Sequence, residues 1–192
     1  MIRRLYDWTI ALADTRHAMW ALAIVAFLES SIFPIPPDVL MIPMILARPS
    51  RAFVIAGLAT VASVTGGLAG YWIGFALEDA VARPILEFYG KGVEFDAFGE
   101  RFAAYGPWAV LVAGITPFPF KVITIASGIF ALNIWVFTLS ALVARALRFF
   151  IVAALLWKFG APVRDFIERR LGLVFTLFCI ILIGGFFAVT WL

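Results

Sequence analysis

Long, predominantly apolar stretches constrain the fold of this chain more than any other sequence feature. Three of them occupy residues 53–77, 133–157 and 171–192. As α-helices they would be about 33–37 Å long, whereas the hydrocarbon core of a bilayer is about 30 Å thick. The sequence therefore predicts three transmembrane helices and, with them, an all-α integral membrane protein.

The composition excludes most soluble classes of protein. The chain of 192 residues is 64% apolar and 14% charged, whereas soluble domains are about 45–50% apolar and about 25% charged. The net charge of +3 comes from basic residues scattered among apolar runs, which is not the pattern of a nucleic-acid-binding protein. Because Cys179 and His17 are the only residues of their types, we expect no disulfide framework, no metal centre and no cofactor.

Two further apolar stretches, residues 18–46 and 107–132, are interrupted by prolines. The interrupting residues are Pro34, Pro36 and Pro37 in the first stretch and Pro117 and Pro119 in the second. Proline removes a backbone donor and pushes the preceding residue out of the helical region, so such clusters end a helix. Pieces such as 38–46 and 107–116 would be only about 13–15 Å long. Each stretch is therefore predicted to enter the membrane and return as a re-entrant hairpin.

The two interrupted stretches align at an offset of 83 residues. Residues 33–42 then face 116–125, with two prolines, a valine and the last isoleucine in common and Asp38 opposite Lys121. Each stretch is followed by one long helix, and a single crossing between them makes the halves enter from opposite sides. Paired interruptions of this kind are typical of inverted-repeat transporters, whose site lies near the midplane.

These observations divide a single membrane domain into five segments. They are an interfacial amphipathic helix at 1–17, a first repeat at 18–77, an amphipathic connection at 78–105, a second repeat at 106–160 and a C-terminal transmembrane helix at 171–192. Lys and Arg are concentrated in the loops at 47–52 and 158–170, which predicts that these loops are cytoplasmic. Gly66, Gly70 and Gly74 form a small-residue stripe that we expect to pack against another helix.

Five charged residues lie inside the apolar stretches: Glu29, Asp38, Lys121, Arg145 and Arg148. A charge at mid-helix costs about 2.5–3.5 kcal/mol, so these side chains must face inward, pair or meet water. The two arginines are three residues apart and share one helix face. A purely structural ion network, or arginines that reach the headgroup layer, would also account for them.

The sum of these charges favours an anionic ligand. Three cations against two carboxylates leave one positive charge, and helices that restart after the prolines direct amide groups to the same region. Lys121, Arg145 and Arg148 are therefore candidate ligands of a phosphate headgroup. Glu29 and Asp38 are candidates for proton exchange, because burial favours the neutral form of a carboxyl group. No nucleophile–base pair is evident, so no catalytic residue and no enzyme activity are expected.

The same residues resemble the DedA family of bacterial inner-membrane proteins, also called the VTT or "SNARE-associated" domain, and in particular its YqaA-like branch. The resemblance rests on Glu29, the Phe33-Pro34-x-Pro36-x-Asp38 turn, the glycines of 66–74 with Tyr71, and the proline break before Ser127-Gly128. It covers roughly residues 18–160.

This resemblance implies two re-entrant hairpins that face each other and a role in moving lipids across the bilayer. Family members are regarded as flippases or scramblases of polyprenyl phosphate or phospholipids, with a link to the proton motive force. The acidic pair of the family corresponds to Glu29 and Asp38. The second family motif carries two arginines around a proline, and here Lys121 stands in for one while Arg145 and Arg148 supply the rest.

Two other functions are compatible with the sequence. One is a proton-coupled carrier of a small soluble solute, and the other is a membrane scaffold or chaperone whose charges are only structural. The expected partners are membrane lipids and not nucleic acid, and homo-oligomerisation is left open.

Overall fold

The computed structural model describes residues 17–32, 36–78, 80, 92–116 and 119–169. Regular structure in these ranges is entirely helical. It comprises α1 (Ala18–Ser31), α2 (Asp38–Ala47), a 3₁₀ turn (Pro49–Arg51), α3 (Ala52–Leu77), α4 (Gly92–Ile115), α5 (Phe120–Ile129) and α6 (Ile134–Arg169). The interfacial helix expected before residue 17 and the transmembrane helix expected at 171–192 lie outside the described residues.

Two of the predicted transmembrane helices are confirmed as apolar helices of sufficient length. Pro49–Leu77 contains 29 residues and Ile134–Gly160 contains 27. Large apolar side chains on both helices are exposed, for example Val61 at 60% and Leu139 at 62%. Exposure of this extent along a helix suits contact with lipid rather than water.

Both interruptions lie where the prolines predict them. Helix α1 ends at Ser31 and α2 begins at Asp38 with Pro37 as its N-cap, while α5 begins at Phe120 with Pro119 as its N-cap. Proline is tolerated there because the first residues of a helix donate no intrahelical bond. Pro34 and Pro117 lie outside the described residues. The re-entrant course of the hairpins stays a prediction.

The helix bounds repeat at the offset found in the sequence. Shifted by 83 residues, α2 becomes 121–130, beside Phe120–Ile129, and α3 becomes 135–160. Helix α6 begins at Ile134 and loses helical geometry at Phe159, three residues before Pro162, which lacks a donor for the preceding turn. The membrane-length part of α6 therefore matches α3 in position and length.

The two long helices are antiparallel. Near the start of α3, the Phe53 ring lies 6.0 Å from that of Trp157 at the end of α6. Near the end of α3, the Tyr71 ring lies 5.3 Å from that of Phe137 at the start of α6. Corresponding helices of an inverted repeat must run in opposite directions, as α3 and α6 do.

Helix α4 crosses one boundary of the sequence-based division of the chain. It runs from Gly92 to Ile115 as one element, so residues 92–105 of the predicted connection belong to the same helix as the following apolar arm. The composition changes from charged to apolar near residue 105, which indicates a change from polar to apolar surroundings. The backbone hydrogen bonds of a helix do not depend on such a change, so the helix continues through it.

Helix α3 is the central element, because α1, α5 and α6 all pack on it. Its glycines make this possible: a Cβ on Gly66 would overlap the carbonyl oxygen of Phe27 in α1, and one on Gly74 would overlap that of Ile125 in α5. A glycine of α5 makes the same kind of contact with α3, because a Cβ on Gly128 would overlap the carbonyl of Tyr71. Backbone thus lies directly against backbone on both sides of α3.

This packing predicts opposite outcomes for one substitution at two positions of α3. Gly74→Ala should destabilise the protein by about 1–3 kcal/mol, because the new methyl group meets a backbone carbonyl that cannot move aside. Gly57→Ala is the matched control: its Cβ has no neighbour within 4 Å, and alanine is the better helix former by about 1 kcal/mol. Thermal unfolding in detergent micelles measures both, and equal midpoints would contradict the close contact.

Candidate functional site

Glu29, in the last turn of α1, forms an ion pair with Arg145, in the middle of α6. The Arg145 Nη2 donates to Glu29 Oε2, although the two residues are 116 positions apart. The pair is almost completely enclosed, with 1% of the arginine and 11% of the glutamate side chain exposed. A charge buried in this way requires a partner of opposite sign.

Two buried serines complete a closed hydrogen-bond network around this pair. Arg145 Nε donates to Ser63 Oγ in α3 at 2.6 Å, and Ser30 Oγ donates to Glu29 Oε2 at 3.0 Å. The two hydroxyl oxygens are 2.6 Å apart. If Ser63 donates to Ser30, each hydroxyl donates one bond and accepts one. The network joins α1, α3 and α6.

Aromatic rings seal Arg145 from its surroundings. Its Cζ lies 4.7 Å from the ring centre of Phe120 in α5 and 4.8 Å from that of Phe149 in α6. Both phenylalanines are fully buried. Cation–π attraction is strongest where water is excluded, so these rings favour the charged guanidinium while closing access to it.

A second ion pair joins Asp38, the first residue of α2, to Arg148 of α6. The Arg148 Nη2 lies 2.6 Å from Asp38 Oδ2, and Nη1 donates at 2.6 Å to the carbonyl of Thr116, just after α4. This pair is more open, with 15% and 18% of the two side chains exposed. Asp38 lies at the start of α2, and the side chain of Arg148 reaches the end of α4. Both positions suit the helix dipoles, which favour a negative charge at a helix start and a positive charge at a helix end.

Lys121 connects the two interruptions. It lies in the first turn of α5, and its Nζ donates at 3.2 Å to the carbonyl of Ile32, just after α1. Thr124, one turn later, donates to the carbonyl of Ser30 at 3.0 Å. The start of α5 therefore lies against the end of α1, and carbonyls that a helix end leaves unsatisfied obtain donors.

The contacts of Asp38 differ from those suggested by the repeat alignment. Asp38 was aligned with Lys121, but its ion partner is Arg148, while Lys121 binds a backbone carbonyl. The two arginines of α6, expected to act on one face, divide between two carboxylates. Of the five charged residues inside the apolar stretches, Lys121 is therefore the one without a carboxylate partner among the described residues, and it lies beside both interruptions.

Several contributors were not identified from the sequence: Ser30, Ser63, Thr116, Phe120, Thr124 and Phe149. Their side chains or backbone carbonyls complete the contacts of the charged residues. Ser30 follows Glu29 directly, and Ser63 lies between an alanine and a valine in α3. In the sequence, neither serine can be distinguished from a small residue that only packs against a neighbouring helix.

Comparisons with known proteins found a family model and relatives that match much of the chain. The family model described as the VTT domain matches residues 33–158. A Haemophilus influenzae protein named "Uncharacterized protein" is 38% identical over 168 residues, which cover 85% of this chain and 87% of that protein. An uncharacterised protein of Histophilus somni is 37% identical over 168 residues with the same coverage. No solved structure matches the chain at a significant level.

The enclosed pair predicts non-additive stability losses. Glu29→Gln or Arg145→Gln alone should cost about 3–5 kcal/mol, because each leaves the other charge buried without its partner. The double variant should lose clearly less than the sum, because it removes both charges. Arg148→Gln is the control for an arginine of the same helix that is partly exposed, and it should cost less than Arg145→Gln. Unfolding in detergent measures all four, and strictly additive losses would contradict the pairing.

Proposed function

Because the chain belongs to the VTT-domain (DedA) family of membrane proteins, we propose that it transports an anionic lipid, a polyprenyl phosphate or a phospholipid, across the bacterial inner membrane. The observation that carries this proposal is the convergence of five charged side chains where two interrupted helices meet: Glu29, Asp38, Lys121, Arg145 and Arg148.

The placement of these charges favours transport over a scaffold role. Both ion pairs link the first half of the chain to α6, over sequence separations of 116 and 110 residues. Apolar packing alone would join the halves without burying ions, and buried ion pairs are poor sources of stability. In transporters with inverted repeats, the binding site lies at the interface between repeats and is formed by interrupted helices. We propose that these elements form such a repeat, with re-entrant hairpins in a multi-pass protein.

The chemistry of the cluster favours a phosphate group as the ligand. Arg148 presents a planar fork of donors near the surface of the cluster, and such a fork matches two oxygens of a phosphate. Lys121 adds a positive charge without a carboxylate partner among the described residues. A cationic ligand would meet three like charges and two carboxylates that are already paired.

The short helices around the cluster favour a lipid over a soluble solute. Helices α2 and α5 contain 10 residues each, about 15 Å, which is half of the hydrocarbon thickness. A wall of such helices leaves room for acyl chains to stay in the bilayer while a headgroup reaches Arg148. A carrier of soluble solutes needs a path closed to lipid, and it remains the alternative function.

We further propose proton coupling through Glu29 or Asp38. A proton on either carboxylate would neutralise it and weaken its hold on an arginine of α6. Asp38 is the more accessible of the two, because its arginine partner is partly exposed whereas the arginine partner of Glu29 is enclosed. A proton could therefore reach Asp38 without disrupting the aromatic seal.

Reconstitution into liposomes tests the lipid substrate. The wild-type protein should move fluorescently labelled phospholipid or polyprenyl phosphate between leaflets faster than protein-free vesicles allow, as measured by chemical quenching of the outer leaflet. Asp38→Asn should slow this movement by about tenfold or more, because it removes a charge-assisted contact in the cycle. Glu29→Gln and Asp38→Asn should also alter its pH dependence.

Leu139→Ala is the matched control, because Leu139 is 62% exposed on the lipid-facing side of α6 and should leave transport unchanged. Absence of lipid movement by the folded wild type would exclude a lipid transporter and leave the soluble carrier or the scaffold. If both acidic variants kept the wild-type rate at every pH, proton coupling would be wrong.

A further inference from the structure

The two ion pairs differ in how easily an external anion could replace the carboxylate. Arg145 has 1% of its side chain exposed, with phenylalanine rings on it and a serine and a glutamate as acceptors. Arg148 has 18% of its side chain exposed, and its acceptors are one carboxylate and one backbone carbonyl. More of Arg148 than of Arg145 is therefore open to an approaching anion.

The consequence of displacing the carboxylate from its arginine also differs between the two ion pairs. If an anion displaced Glu29, a carboxylate beside fully buried serines would lose its counter-ion in a sealed region, which is costly. If an anion displaced Asp38, that carboxylate could be hydrated or protonated, because its pair is partly exposed. Arg148 would keep its orientation throughout, because Nη1 is bonded to the carbonyl of Thr116 and not to Asp38.

We propose that Asp38 is a built-in competitor for the ligand: Arg148 exchanges the Asp38 carboxylate for the phosphate group of the ligand, whereas Glu29 and Arg145 form a fixed clamp that never contacts it. This division of roles rests on the proposed function and specifies which arginine recognises the substrate. A lipid headgroup and free phosphate share the required chemistry, a compact anion with two oxygens for the arginine fork.

Binding measurements on the full-length protein in a non-ionic detergent test this division. The probes are dodecyl phosphate for a lipid headgroup and inorganic phosphate for the free ion, with dodecanol as the uncharged control, and calorimetry gives Kd. Asp38→Asn should tighten dodecyl phosphate binding about fivefold, because it removes the competing charge. Arg148→Gln should weaken it about tenfold or more, because a charge-assisted contact is lost.

Ser63→Ala tests the clamp while retaining both of its charges, so it disturbs the fold less than a variant that leaves one ion unpaired. It should lower the thermal midpoint, because Arg145 Nε loses its acceptor, and leave Kd within about twofold of the wild-type value.

Three outcomes would overturn the inference: weaker binding after Asp38→Asn, an unchanged Kd after Arg148→Gln, or no binding of either phosphate probe by the folded wild type. Tight binding of inorganic phosphate with the same response to the variants would assign the site to a free anion. Lipid movement without tightening by Asp38→Asn would refute the competitor role alone. The expected binding pattern without lipid movement would refute only the lipid-transport function.

Discussion

The charge of Arg145 in the middle of an apolar helix is the constraint on which the surrounding structure depends. An isolated ion there would be costly, so Glu29 and Ser63 must both reach it. Because Glu29 occupies the last turn of α1, this requirement fixes where α1 lies along α6 and how deep its end is placed. The bare glycine surface of α3 then lets α1 and α5 approach closely enough for one guanidinium to serve three helices.

The interrupted helices and the cations inside the apolar stretches supply each other with hydrogen-bond partners. A helix that ends within an apolar layer exposes carbonyls without donors, and a cation in the same layer lacks acceptors. Here Lys121 donates to the carbonyl after α1, and Arg148 donates to the carbonyl after α4. The polar site therefore lies at the interruptions for a physical reason: they are where backbone acceptors become available to positively charged side chains.

The sequence predicted the elements of the site better than their pairing. Proline clusters placed both interruptions, apolar runs placed both long helices, and the cost of buried charge singled out the charged residues. The alignment of Asp38 with Lys121 reflected the repeat and not contact, because α5 packs against the end of α1 while the fork of Arg148 reaches α2. Residues three apart on a helix differ by about 4.5 Å in height, which lets adjacent arginines take separate partners.

Under the proposed exchange, the arrangement of the two arginines on α6 determines which helix can move when a ligand binds. The clamp at Arg145 joins α1, α3 and α6, so these helices stay together whenever it is intact. The first residue of α2, Asp38, is bound to Arg148 of α6, while Met41 and Ile45 further along α2 lie in the core with Phe149 of α6. Under the proposed exchange, ligand binding therefore frees the start of a 10-residue helix and leaves the long helices in place. Because Met41 and Ile45 hold the rest of α2 in the core, the proposed exchange would move the start of this helix locally rather than rock the two halves of the fold.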